Sequence, residues 1–260
     1  MRFDVEPPRA ERVIDVHCHI LPGLDDGAVD LDDAVAMAAQ AAEDGVRRIC
    51  ATPHIRHDHD VVVAEIAERV AALNRELARA ALRVRVETGG EVAETALDRL
   101  DRRELAQVAL GGGRWVLVEP APGPLADGLE AAVAQLDRRG FGTIVAHPER
   151  HADEQLLFRL ERLVERGALV QVTAALLAEP GSGPVMLDLA RRGLVHLLGS
   201  DAHSSRAGRP ARLSAGVAAL QAGGLHPGEI DLIVRGLPHA VLSGQRFAPP
   251  LAGRRDHSLV

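Results

Sequence analysis

The chain has 260 residues, 47% hydrophobic and 26% charged, the make-up of an ordinary globular protein long enough for one large α/β domain. Its formal net charge of −7, with 2% aromatic residues and no tyrosine, argues against a general nucleic-acid binder, which needs clustered Lys and Arg and stacking rings. The N-terminal segment is charged and contains Pro7-Pro8, and no uncharged stretch is long enough to span a bilayer, so a cytoplasmic protein without membrane insertion is expected.

Short β-branched runs alternate with Ala-, Leu- and Arg-rich helical stretches. The first strand spans about Arg12 to His17. A helix follows from about Asp30 to Gly45, with Asp30, Asp32 and Asp33 as charges favourable against its dipole. Arg48 to Ala51 is a second strand, ending at Thr52-Pro53-His54. A helix from about Val61 to Ala80 leads to a strand over Val84–Thr88, then Gly89-Gly90-Glu91 and a short helix near Ala93 to Leu100. Trp115 to Val118 is a strand running into Glu119-Pro120. Next come a helix near Leu125 to Arg139, a strand over Thr143–Ala146 and a helix near Glu154 to Arg166. Ala168 to Val172 and Val195 to Gly199 are the sixth and seventh strands. Beyond Arg212 the pattern is helical to about Gly236, and Phe247 to Val260 reads as a poorly ordered tail. No spacer, charge block or repeat divides the chain. It reads as a single domain over 1–260, with a core of about 12–246 and flanking segments 1–11 and 247–260.

Nearly uniformly apolar strands alternating with helices point to a parallel sheet covered by helices, most simply closed as a β/α barrel. A doubly wound open sheet is the alternative. Position favours the barrel, because His17, His19, His54, Glu91, Glu119, His147 and Asp201 all fall at or just beyond the C-terminal ends of strands, where a β/α barrel builds its site.

His17 and His19, in Asp15-Val16-His17-Cys18-His19, lie two apart on a strand and so share a face on which to grip a metal ion. With Asp26, His54, Glu91, Glu119, His147, Asp201 and His203 they make a set of five imidazoles and four carboxylates without a thiolate. Such a set suits Mn²⁺, Fe or Zn²⁺ in hydrolysis, and nine ligands exceed one coordination sphere, so two or three clustered ions are expected. His57, His59, His151, His196, His226, His239 and His257 read as ordinary surface or core histidines. Cys18 and Cys50 read as small buried hydrophobes of a reducing compartment, with no disulfide expected. Cys50 and Arg56 match the C-x5-R spacing of cysteine-dependent phosphatases. That chemistry needs a curled loop of convergent N–H groups, whereas this stretch has no glycine and Pro53 removes a donor.

The stretch from Asp15 to Gly27, with Pro22-Gly23-Leu24-Asp25-Asp26-Gly27, resembles the polymerase-and-histidinol-phosphatase (PHP) superfamily, as do Ala51-Thr52-Pro53-His54, Ala146-His147-Pro148-Glu149-Arg150 and Gly199-Ser200-Asp201-Ala202-His203. Within it these motifs are most similar to the bacterial manganese-dependent tyrosine phosphatases of capsule and exopolysaccharide loci, the CpsB/YwqE-like group. The resemblance implies a distorted (β/α)7 TIM-like barrel, the PHP fold, with a trinuclear centre of Mn²⁺, or else Fe or Zn²⁺. It implies that His17, His19, Glu119 and Asp201 hold one ion, that Glu119 and His147 reach a second, and that Asp26, His54, Glu91 and His203 complete the coordination. Arg150 matches the family's phosphate-binding arginine. Arg209 best fits the second, with Arg206 as a rival. The activity implied is hydrolysis of phosphotyrosine in protein, the partner being the tail of a bacterial tyrosine kinase that controls polysaccharide export. A PHP-type phosphoesterase acting on histidinol phosphate or a nucleotide is the alternative, and a non-catalytic metal-binding regulator a third reading. The segment after Glu119, Pro120-Ala121-Pro122-Gly123, and the absence of an asparagine in Val172-Thr173-Ala174-Ala175 depart from the family pattern.

Overall fold

The computed structural model describes residues 13–125 and 127–249; the segment 1–11, His257 and the rest of the tail beyond residue 249 lie outside the described residues. Nine short strands occur among them: β1 (Val13–Cys18), β2 (Val46–Ala51), β3 (His54–Ile55), β4 (Arg85–Glu87), β5 (Glu91–Ala93), β6 (Trp115–Glu119), β7 (Gly142–Val145), β8 (Leu169–Thr173) and β9 (Leu197–Gly199). They pair in parallel, in the orders β1-β2-β4 and β3-β5-β6-β7-β8-β9, and curl into a half-barrel with helices packed outside. Cys18 makes a parallel bridge to Ala202, just past β9.

The expected second strand breaks at Thr52-Pro53, where proline has no N–H to give the ladder. The third breaks at Thr88-Gly89-Gly90. Helices α1 (Leu31–Glu43) and α2 (Ile66–Arg79) follow the sequence pattern, although α2 begins five residues late behind the single tight turn Val63–Glu65. Asp30, expected as a helix-start charge, caps α1, its carboxylate accepting from Asp33 N. Helix α3 (Arg102–Val108) is not foreshadowed by periodicity; its signal is the capping box of Asp101 and Glu104. The stretch after Ala93 forms a tight 3₁₀ turn, Glu94–Arg99, instead of an α-helix. Outer helices α4 (Asp127–Arg138) and α5 (Leu156–Glu165) match, and α6 (Gly183–Arg191) adds one more. The helical run beyond Arg212 divides into α7 (Ser214–Ala222), α8 (Pro227–Asp231), a π turn and α9 (Leu237–Leu242), broken by Gly223-Gly224 and Pro227. Phe247 corrects the start of the expected tail, because its ring packs on Trp115 at 5.0 Å between centroids.

Alternation along each strand sorts the core into two faces. Val116, Val118, Val145, Val170 and Leu198 pack outward against the helices. Trp115, Leu117, Ile144, Leu169 and Leu197 pack inward with Leu237, Val241 and Leu242, so α9 closes the inner face at its N-terminal end. This apolar floor leaves the strand C-termini for polar residues. Leu117 is fully buried in it, and Leu117→Ala is expected to cost about 2–5 kcal/mol, read as a lower urea midpoint at unchanged slope.

Candidate metal centre

Above the apolar floor, the sequence-predicted residues converge. Glu91, first residue of β5, is buried and lies at the middle of the group. Its Oε2 is 3.4 Å from His17 Nε2, 3.4 Å from His19 Nε2 and 3.0 Å from His54 Nδ1, and its Oε1 is 2.7 Å from His147 Nε2. His17 Nε2 and His19 Nε2 stand 3.1 Å apart, as their shared strand face requires. Four overlapping clusters result, in which ligand atoms all lie within 4.8 Å of one another: His17, His19 and Asp201; His17, Glu91 and His147; His54, Glu91 and Glu119; and His19, Asp26, His54 and His203.

The clusters group these residues differently from the expected sharing. Glu119 does not join His17, His19 and Asp201; Glu91 takes the central position. The cause is register. Glu91 pairs with Leu117, so Glu119 sits two residues nearer the mouth, where Arg56 Nη1 contacts both of its oxygens at 3.2 Å.

Local backbone aims these side chains. Ile144 and Ala146 face inward, so simple alternation would send His147 out; its φ of 29° turns it back. Asp201 is likewise left-handed, at φ 50°. Two glycines permit close approach. A Cβ on Gly27 would lie 2.2 Å from His19 O, and one on Gly199 would lie 2.5 Å from His17 Cβ.

Two residues that sequence reasoning passed over orient the imidazoles. His19 Nδ1 donates to Asp25 Oδ2 at 2.8 Å, and that side chain also accepts from the N–H groups of His54 and Gly27 at 2.9 and 3.0 Å. Gln171 Oε1 accepts from His17 Nδ1 at 3.0 Å. With Nδ1 engaged, each Nε2 faces inward. Asp25 had a signal in the paired acids of the loop. Gln171 had one too, as a polar residue in a strand otherwise apolar.

Arg150 donates to Asp201 Oδ2, and Arg209 reaches the same carboxylate at 3.1 Å and the Asp201 carbonyl at 2.8 Å. Arg206 points away to Asp30. Arg56, Arg150 and Arg209 line a cavity of about 440 Å³ with Asp26, His54, Glu119 and His203. Pro120 to Gly123 do not line it; His151 Nδ1 instead donates to Gly123 O. Cys50 lies in the inner apolar floor, and burial pushes its thiol up, away from the thiolate a nucleophile needs. Of the other histidines, His59 stacks on His54, His196 is buried beside β8 and His226 caps α8.

Burial opposes the charges on His19 and Glu91, yet their partners prevail, whereas at His203 burial wins. Burial would push His19 down, but its hydrogen bond to Asp25 and the nearby negative charge of Glu91 raise it to about 10. Glu91 is desolvated and still held well below the usual carboxylate range by His17 and His147. His203 is lowered to about 4 by burial and by the positive His19. The buried Oε2 of Glu91 and the Nδ1 atoms of His54 and His147 make no hydrogen bond. Orphaned acceptors and imidazoles around a negative centre are what a small divalent cation satisfies, so the donor set fits a metal cluster.

The family model for capsular polysaccharide synthesis, CpsB/CapC, matches residues 13–223. The tyrosine-protein phosphatase YwqE of Bacillus subtilis is 32% identical over 199 residues, 74% of this chain and 78% of that protein. CpsB of Streptococcus pneumoniae, also a tyrosine-protein phosphatase, is 26% identical over 204 residues, covering 74% and 83%. A crystal structure from work on YwqE and CpsB, described as unique metal-dependent tyrosine phosphatases, aligns with a TM-score of 0.78 at 28% identity, over 93% of this chain and 100% of that one.

The raised His19 predicts a pH dependence for chelator-treated protein. A folded-state value of about 10 against an ordinary 6.5 gives stability that is complete below 6.5 and lost as pH rises through 10. Urea unfolding across that window should show falling stability for the wild type and a shallower fall for His19→Asn.

Proposed function

Because the chain belongs to the CpsB/CapC family of capsular polysaccharide synthesis, we propose that it is a metal-dependent phosphatase hydrolysing phosphotyrosine in protein. The observation that carries this reading is the convergence of five imidazoles and four carboxylates beside a cavity lined by Arg56, Arg150 and Arg209. A metal-binding regulator would have no use for arginines turned toward the ligand carboxylates. The relatives, named as tyrosine phosphatases, favour phosphotyrosine over histidinol phosphate or a nucleotide. The protein partner we infer is the tail of a bacterial tyrosine kinase. The compartment we infer is the cytoplasm, supported by the free thiols of Cys18 and Cys50; among the described residues no helix is long and apolar enough to cross a membrane.

The fold we infer is a distorted (β/α)7 barrel of the PHP type forming a single domain. Counting β2 with β3 and β4 with β5 as two interrupted strands leaves seven, and the Cys18–Ala202 bridge joins the first to the last.

His17, His19 and Asp201 would hold one ion, Glu91 and His147 a second, and Asp26, His54 and His203 a third, with Glu119 beside His54 and Glu91. Mn²⁺ is the ion we propose, since mixed imidazole and carboxylate ligands suit it. When bound, the ions supply the charge that polarises a phosphoryl group and acidifies an attacking water. Asp25 and Gln171 hold the imidazoles in one tautomer and orientation. Arg150 and Arg209 neutralise non-bridging phosphoryl oxygens as charge spreads over them. Tyrosine phenolate leaves readily, its conjugate acid having a pKa of about 10, so no dedicated general acid is required. Hydrolysis is direct, and Cys50 takes no part.

His17→Ala should lose bound manganese by elemental analysis and nearly all phosphotyrosine-peptide turnover. Cys50→Ser should stay within about tenfold of wild type, at most about 1.4 kcal/mol in barrier. A trapped phosphocysteine would overturn the metal mechanism.

Arg150→Ala should keep its metal and fold while losing roughly 10²-fold in kcat/KM, about 2.7 kcal/mol. Arg150→Lys should recover only part, since it restores charge without the fork. Near-wild-type turnover by Arg150→Ala would remove this arginine from the site.

A further inference from the structure

The segment that carries Arg209 has no apolar anchor: no residue from Ser204 to Pro210 is buried, and Arg206, Ala207 and Gly208 are exposed. Apart from the buried Ala202 and Ala211 that flank it and the bonds of Arg209 itself to Asp201, it is held by hydrogen bonds to one helix. Asp33, in the first turn of α1, is 1% exposed although its neighbour Asp32 is exposed, so it does more than meet the helix dipole. Its Oδ1 accepts from Ser205 N at 2.9 Å and from Ser205 Oγ at 2.5 Å, and its Oδ2 accepts from Ser204 Oγ at 3.0 Å. Further along α1, Gln40 Nε2 donates to Ser205 O at 2.9 Å, and Gln40 Oε1 accepts from Ala211 N at 3.3 Å. At the end of the helix, Asp44 Oδ2 accepts from Leu213 N at 2.7 Å and from Ser214 N at 2.9 Å.

The loop is therefore fastened on both sides of Arg209 and on its outer side only. Burial would raise the Asp33 carboxyl, but the bonds from Ser205 and Ser204 outweigh it and keep the group ionised, so the donors of these two serines find an anionic acceptor. On the inner side Arg209 is the residue that reaches across, to Asp201.

We propose that Asp33 is a positioning residue for Arg209: by fixing Ser204 and Ser205 it aims the guanidinium at the substrate phosphoryl group, an inference that rests on the phosphatase reading. An arginine held by a flexible segment would meet the phosphoryl group only part of the time, and preorganised donors are the ones that lower a barrier. Asp33 belongs to none of the ligand clusters and does not line the cavity. Because its bonds also hold Ser204, next to His203, the metal content separates an effect through Arg209 from one through that ligand.

The test is a double-mutant cycle on manganese-loaded full chain, with phosphotyrosine-peptide kinetics, metal content, and hydrogen exchange of the 203–212 segment in the chelator-treated protein. Asp33→Ala should keep its metal, lower kcat/KM at least tenfold and speed exchange in 203–212 while sparing 147–150. In an Arg209→Ala background it should cost less than a further twofold; in an Arg150→Ala background it should cost its full tenfold. Asp33→Asn, which keeps the shape and one acceptor, should fall between wild type and Asp33→Ala and serves if the alanine variant does not fold. Equal losses in both arginine backgrounds, lost metal or unchanged exchange would each overturn the proposal. Absence of turnover by wild type on phosphotyrosine peptides would instead overturn the phosphatase reading, and with it the phosphoryl-binding role of Arg209.

Discussion

A carboxylate removed from water keeps its charge only when positive charge is set against it, and Glu91 is such a carboxylate, buried at the middle of His17, His19, His54 and His147. One of its oxygens has no hydrogen bond. Replacing the surrounding imidazoles by apolar groups would leave an uncompensated buried charge, a defect that costs several kcal/mol by general experience, about 3–5. The site is thus a place where the fold depends on its polar residues being right. Each neighbour of Glu91 must present a nitrogen inward, and the rest of the architecture can be understood as the means of doing so.

Parallel strands bring this about cheaply, because all their C-terminal ends lie on one rim. Where alternation alone would misdirect a side chain, the backbone departs from the ideal. His147 takes a left-handed conformation, and an irregular register falls between Asp15 and Cys18, around His17. Strained residues of this kind cost of order 1–3 kcal/mol each and persist where surrounding contacts over-determine them. Those contacts are visible at this site: Gln171 bonds to His17, Asp25 bonds to His19, and Gly199 gives His17 room.

Much of this was legible in the sequence, for reasons tied to particular residues. Strand ends are marked by apolar runs stopping at polar residues, so His17, His54, Glu91, Glu119, His147 and Asp201 could be placed on one rim from the chain alone. The sharing of Glu91 and Glu119 could not, because it depends on register: a shift of two residues between β5 and β6 exchanges which carboxylate is central, and both positions read alike in the chain. Helix α3 escapes sequence reading because its seven residues are too short for periodicity to register, although its capping box is there. The continuous helix expected beyond Arg212 fails at Gly223-Gly224 and Pro227, local breakers that its apolar pattern masks. Asp33 is the subtler case. Its place in a first helical turn is correct and its dipole argument sound, but a partner 171 residues away in sequence decides what the carboxylate does.

Asp201 shows how the two halves of the site are coupled. Its Oδ1 lies 3.6 Å from His17 Nε2 and 3.8 Å from His19 Nε2, while its Oδ2 meets Arg150 and Arg209. One carboxylate, lowered to about 2 by His17, His147 and the arginines against the pull of burial, therefore faces the imidazole cluster with one oxygen and the guanidinium pair with the other. Such a bridge fixes the distance between the two groups of positive charge. On the proposed phosphatase reading, a phosphoryl group has oxygens enough to be met from both sides at once, and a carboxylate between the two sides sets them at a constant spacing. The left-handed backbone at Asp201 and the hydrogen bonds from α1 to the following loop serve the same end. Both remove freedom from the short segment that must hold an imidazole, a carboxylate and an arginine in place.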